Sequence, residues 1–121
     1  MSKLKEILQK KKEREERLKS SLDSVVRQLG DLGALKIVLF GSLAKEDMDV
    51  SSDLDLLVIM KSNLPRYKRA TPMRLLFNPT PCPMDILVFT PREVRRWNGT
   101  TNHIVTEALE KGVVAYAKSR Y

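Results

Sequence analysis

The sequence predicts a domain of the α/β or α+β class, with a three-stranded central mixed sheet flanked by helices and a long helix at its N-terminal end. Three observations predict it. Leu4, Ile7, Leu8, Leu18, Leu22, Val25, Val26 and Leu29 recur at helical spacing. Three short apolar or β-branched runs follow, beginning at Lys36, Asp53 and Asp85. The segments between and after those runs carry helix start and stop signals. Helices that cover a sheet of this kind share one core with it.

The elements follow in chain order. Residues 3 to 29 read as one helix that Gly30 and Gly33 end. Its stretch from Gln9 to Arg17 is almost wholly charged and reads as solvated, with ion pairs between neighbouring turns; a docking arm for a partner is the sharper alternative. Lys36 to Phe40 is a buried strand cut off by Gly41-Ser42. A short helical turn over Ser42 to Lys45 and a polar loop over Asp47 to Ser52 lead to the second strand, Asp53 to Met60. Lys61 to Arg69 reads as a basic connection. Thr71-Pro72 reads as a cap and first helical residue, opening a short helix to about Phe77. Pro79, Pro81 and Pro83 forbid regular structure before the third strand, Asp85 to Phe89. Thr90-Pro91-Arg92-Glu93 is a capping box for a helix that Trp97-Asn98-Gly99 ends. A last helix runs from Asn102 to Lys111, with Gly112 as its stop, and Val113 to Ala117 could add an extra edge strand.

Composition bounds the function. The 121 residues give room for one domain, 1 to 121, divided into an N-terminal helix (1 to 30) and a core (35 to 121). With 22 basic and 15 acidic side chains the net charge is +7, which favours phosphates, nucleotides, nucleic acid or an acidic protein. Cys82 is the only cysteine, so no internal disulfide forms. The first residues lack the apolar run of a signal peptide, and the longest apolar run, Leu54 to Met60, is too short to span a bilayer. A cytoplasmic protein with no membrane partner is expected. Nothing in the chain interleaves aromatic and basic residues in the manner of an RNA-binding module, so nucleic acid is not the expected partner.

The chemistry concentrates in Gly41-Ser42, ten residues, Asp53-Leu54-Asp55, and then Asp85. Side chains two apart on a strand share a face, so Asp53 and Asp55 project together, about 7 Å apart along the strand. Fixing two unpaired carboxylates there costs stability, and a divalent cation relieves the cost. Oxygen ligands of this kind suit magnesium or manganese. If the second and third strands are neighbours, Asp85 completes the cluster. Two metals about 4 Å apart could then hold the attacking and leaving oxygens of an in-line phosphoryl displacement, with Asp85 as proton acceptor. Gly41-Ser42 would cradle a triphosphate, through backbone amides at a helix start and the Ser42 hydroxyl, and Lys45 can reach the same phosphates. Each part alone is commonplace: a Gly-Ser is usually a turn and an acid opening a strand is usually solvated. The combination is what points to a site. A calcium loop starting at Asp47 is excluded, because Ser52 and Val58 stand where glycine and glutamate are required.

This spacing, with Leu57-Val58 after the first pair and Met84-Asp85-Ile86-Leu87-Val88 later, resembles the minimal nucleotidyltransferases of the DNA polymerase beta superfamily. The resemblance covers Leu35 to the C-terminus, including the tail Glu110-Lys111-Gly112 before Val113-Val114-Ala115-Tyr116. It implies the small nucleotidyltransferase fold, with Gly41 and Ser42 on the triphosphate and Asp53, Asp55 and Asp85 as catalytic, metal-binding acids for two Mg ions. Members often carry an arginine after the Gly-Ser and an Arg-Gly pair soon after, where Leu43 and Lys45-Glu46 stand here. Small members act as antitoxins of HEPN-type ribonuclease toxins, and some transfer AMP from ATP to a tyrosine of the toxin. The resemblance therefore implies an AMPylating antitoxin, with ATP and a HEPN-like toxin as partners. The alternative is a degenerate binding module that neutralises its partner by contact. His103 reads as a surface or capping residue and Trp97 as a core or interface anchor. The segment from Lys61 to Met84, with five basic residues and no acid, could contact triphosphate or an acidic partner.

Overall fold

The computed structural model describes residues 3–41, 54–77 and 84–118. Helix α1 (Lys3–Asp31) leads to β1 (Lys36–Phe40) and β2 (Leu54–Ile59). Two short helices, α2 (Arg66–Arg69) and α3 (Thr71–Leu76), precede β3 (Met84–Phe89). Helices α4 (Pro91–Trp97) and α5 (Ile104–Lys111) and strand β4 (Val113–Ala117) complete the order. The strands form one sheet in the order β3-β2-β1-β4. Strand β2 runs parallel to β3 and antiparallel to β1, and β4 is antiparallel to β1. The sheet is therefore mixed, as expected, and the extra edge strand forms, making four strands rather than three.

Both faces of the sheet are covered. Ile37, Leu39, Leu54, Leu56, Val58, Ile86 and Val88 pack on one face against Val25 and Leu29 of α1 and Met73 and Phe77. Val38, Leu57 and Phe89 pack on the other against Val105 and Ala108 of α5, with Val94 and Trp97 of α4 beside them. This explains why β2 reads as continuously apolar past Asp55: alternation disappears when both faces are buried.

Only the second half of α1 reaches this core. Leu4, Ile7 and Leu8 keep 65%, 60% and 57% of their surface exposed despite their helical spacing. Beyond them Gln9, Lys10, Lys12, Glu13, Glu16 and Arg17 are exposed, and Gln9 Nε2 donates to Glu13 Oε1 at 3.4 Å. The helix also runs past Gly30. Gly33 N–H donates to the Gly30 carbonyl and Ala34 N–H to the Leu29 carbonyl, both at 3.1 Å. This is a Schellman stop with Gly33, at φ +111°, in the left-handed position. Gly30 has a different reason to be glycine. A Cβ there would lie 3.2 Å from the Tyr116 ring of β4.

Other boundaries shift for local reasons. Pro65 starts a helical turn inside the expected basic connection. Thr71 is the first residue of α3 rather than its cap, which is Ala70. Helix α5 starts at Ile104 because Asn102 takes φ 62° and His103 is the cap. Gly112 ends α5 without a left-handed turn. A Cβ there would lie 2.4 Å from the Ala108 carbonyl and 2.6 Å from Val38 Cγ1, so glycine lets α5 close onto β1.

The capping box of α4 forms as expected, with Glu93 N–H donating to Thr90 Oγ1 and Thr90 N–H to Glu93 Oε1. Glu93 also pairs with Arg69, whose Nη1 donates to the Val88 carbonyl at 3.2 Å. One ion pair thus ties α2 to α4 across the end of β3. Burial disfavours the charged Glu93 carboxylate, but this is outweighed by the Thr90 backbone N–H, the Arg69 hydrogen bond and charge, and the Thr90 hydroxyl. The net effect holds its pKa below the ordinary 4.5. A carboxylate lowered on folding stabilises the fold above the unfolded value, and that contribution is lost as pH falls through the folded one. Glu93→Gln should therefore cost about 2 kcal/mol at neutral pH. In thermal melts between pH 7 and 3 the gap between the two proteins should close below pH 4.5. A gap independent of pH would contradict the assignment.

Candidate active site

The candidate site forms where β1 ends and β2 and β3 begin. Strand β2 pairs with β3 in parallel, with Asp55 opposite Asp85. It pairs with β1 in antiparallel, with Phe40 opposite Asp55. Adjacent strands lie about 4.8 Å apart, so the two aspartates start side by side and share a face. Asp55 lies on the face of Leu57, and Asp85 on that of Leu87 and Phe89. The condition set by the sequence, that the second and third strands be neighbours, is met. Like charges directly opposite destabilise a sheet by some tenths of a kcal/mol or more, unless something compensates them.

Gly41 joins the two halves of the motif. It follows Phe40 with φ +81°, and an added Cβ would lie 2.2 Å from Asp55 Oδ2. The glycine is thus required twice, by its backbone and by the carboxylate that occupies the space a side chain would fill. Asp55 is half-buried in this position and Asp85 is exposed at the sheet edge. Ser42, Lys45 and Asp53 lie outside the described residues, as do Leu43, Glu46, the expected turn over 42–45 and the loop over 47–52.

Among the described residues no group of three potential metal ligands occurs. The two that adjoin, Asp55 and Asp85, are carboxylates, a donor set that suits a hard cation such as magnesium.

The sequence matches the family model described as "Nucleotidyltransferase domain" over residues 18–119. The chain belongs to this nucleotidyltransferase family. A solved structure described as "Crystal structure of the toxin-antitoxin with AMP-PNP" has a similar fold, with a TM-score of 0.57 at 17% identity. The similarity covers 82% of this chain and 75% of that one. No curated protein matches the sequence. Among the described residues of this nucleotidyltransferase, no helix is long and apolar enough to cross a membrane.

Sequence reasoning did not foresee the ring cluster at the opposite end of β3 from Asp85. Trp97 and His103 stack with ring centroids 4.6 Å apart, and Phe89 meets His103 edge-on at 6.1 Å. His103 Nδ1 accepts from Val105 N–H at 3.1 Å, so His103 caps α5 as expected and Nε2 is left as the donor of the neutral ring. The Thr106 hydroxyl donates to the Trp97 carbonyl and accepts from Gly99 N–H, fixing the α4–α5 turn. Arg66 lies over the Phe89 ring at 5.2 Å. The only signal of this surface in the sequence was the run of basic residues after Lys61.

Proposed function

We propose that this nucleotidyltransferase moves AMP from ATP, with Mg, to a tyrosine hydroxyl of a HEPN-type ribonuclease toxin, and so acts as its antitoxin. The observation that carries the reading is the side-by-side placement of Asp55 and Asp85 next to Gly41, in a chain of this family. The toxin-antitoxin complex with AMP-PNP, whose fold this chain resembles, supports the choice of partner and nucleotide.

Asp53, Asp55 and Asp85 would hold magnesium, which supplies charge neutralisation at the phosphates when bound. The chain's own residues do the rest. Gly41 brings backbone close to the triphosphate, Ser42 adds a hydroxyl, and Lys45 adds a positive charge. Asp85, which is exposed, accepts the phenolic proton. The tyrosine oxygen bonds to the α-phosphorus, the bond from that phosphorus to the oxygen bridging to the β-phosphate breaks, and pyrophosphate leaves. Protein acceptors suit a site at the open edge of a sheet, because a side chain on a large body must approach in line.

Like-charge repulsion in the aspartate group should be relieved by Mg-ATP. A ligand at a hundred times its dissociation constant adds about 2.7 kcal/mol of stability. Thermal melts with and without millimolar Mg-ATP measure this. A melting point unmoved by Mg-ATP would count against a nucleotide site.

A further inference from the structure

Strand β3 is an edge of the sheet, and a groove of about 480 Å³ runs along it. Ile86 to Phe89 form its floor. Arg66, Tyr67 and Arg74 form one wall, and Asn102, His103 and Ile104 the other. Backbone groups along a strand alternate between its two sides. The Phe89 carbonyl accepts from Met60 N–H on the β2 side, and the Val88 carbonyl accepts from Arg69 on the outer side. Ile86 and Val88 therefore direct their backbone groups outward. Arg69 occupies the Val88 carbonyl. Among the described residues the Ile86 N–H, the Ile86 carbonyl and the Val88 N–H have no protein partner on that side. An edge with two outward donors and an acceptor is a template for an added strand.

The charge of the groove selects what is added. Among the described residues that line it, two are arginines and none is acidic. Tyr67 at its rim is 79% exposed. On β3 the lining begins at Ile86, and Asp85 is the residue before it, at the far end from Arg69. We propose that the free edge of β3 takes an extended acidic segment of the acceptor protein as an added strand, and that this docking leads the acceptor hydroxyl to Asp85. The inference rests on the transferase reading and names the part of the acceptor that the site holds. Four floor residues span about 13 Å, the length of four residues of extended chain, so the recognised segment is short.

The probe is a nine-residue peptide with a central tyrosine and alternating glutamate and threonine. Two further versions carry N-methyl groups, one on each of the two alternate sets of amides. Only one set faces β3 in an added strand. At millimolar peptide, the amides of Ile86 and Val88 should gain protection from hydrogen exchange. One methylated version should bind at least tenfold more weakly than the other, and Arg66→Glu with Arg74→Glu should weaken the unmethylated peptide similarly. Equal binding by both methylated versions, no protection at Ile86 and Val88, or preferential binding of an oligouridylate in the groove would each overturn the proposal. The Mg-ATP melt of the unaltered chain separates the two readings. A thermal shift without peptide binding removes the groove proposal alone, and no shift removes the transferase reading whatever the peptide does.

Discussion

Asp55→Asn should lower AMP transfer by at least about a hundredfold and leave the fold intact. Asp55 stands between Gly41 and Asp85, so in the proposed site it links the turn assigned to phosphate to the third carboxylate. The change removes a charge where charge is stabilised in the transition state, and single contacts of that kind are worth roughly 3 kcal/mol. Asparagine keeps the size of the side chain and the β2 ladder. The apo protein should therefore keep its fold and a cooperative melt. Transfer measured under saturating Mg-ATP, beside a thermal melt, gives both numbers. Activity within a few-fold of the parent would remove Asp55 from the catalytic group.

Gly41→Ala should damage both stability and transfer. Alanine at φ +81° costs about 1 to 2 kcal/mol in backbone strain alone. Its methyl group would also lie 2.2 Å from Asp55 Oδ2, closer than any real contact, so the carboxylate or the β1 terminus must move. Either movement separates the turn from the acid that it serves. A melting point several degrees lower, with transfer reduced at least tenfold, is expected. Retained transfer in Gly41→Ala would show that the close approach of Gly41 to Asp55 has no part in catalysis.

The strands were legible in the sequence because each is a short apolar run between turn residues. The capping box at Thr90 and Glu93 was legible because its chemistry is local. The first half of α1 was legible as helix, but its exposure was not, because periodicity reports what a helix could bury and not what is there to bury it: Leu4, Ile7 and Leu8 stay exposed. Gly30 and Gly33 look alike in sequence, and only contact with Tyr116, a residue far along the chain, separates their roles. Helix α2 is four residues of basic and aromatic side chains, too short to show a period. Val113 to Ala117 was ambiguous because Val113 and Val114 remain half exposed at the sheet edge.

The candidate site was legible as residue types and spacing. Asp55 and Asp85 could be named, but their pairing depends on the strand order β3-β2-β1-β4, which no local pattern encodes. The groove beside them depends on helices α2 and α3 reaching one wall and His103 the other, again a property of the assembled sheet.

The most direct test of the central claim is the intact mass of the proposed toxin partner, a HEPN-type ribonuclease, after incubation with this protein, ATP and magnesium. The account predicts mass increases in AMP units on the toxin, mapped to tyrosine, and none with the Asp53→Asn variant even though that variant still binds the toxin. A toxin that is fully inhibited yet unmodified would contradict it, and would identify the chain as one that neutralises its partner by contact alone.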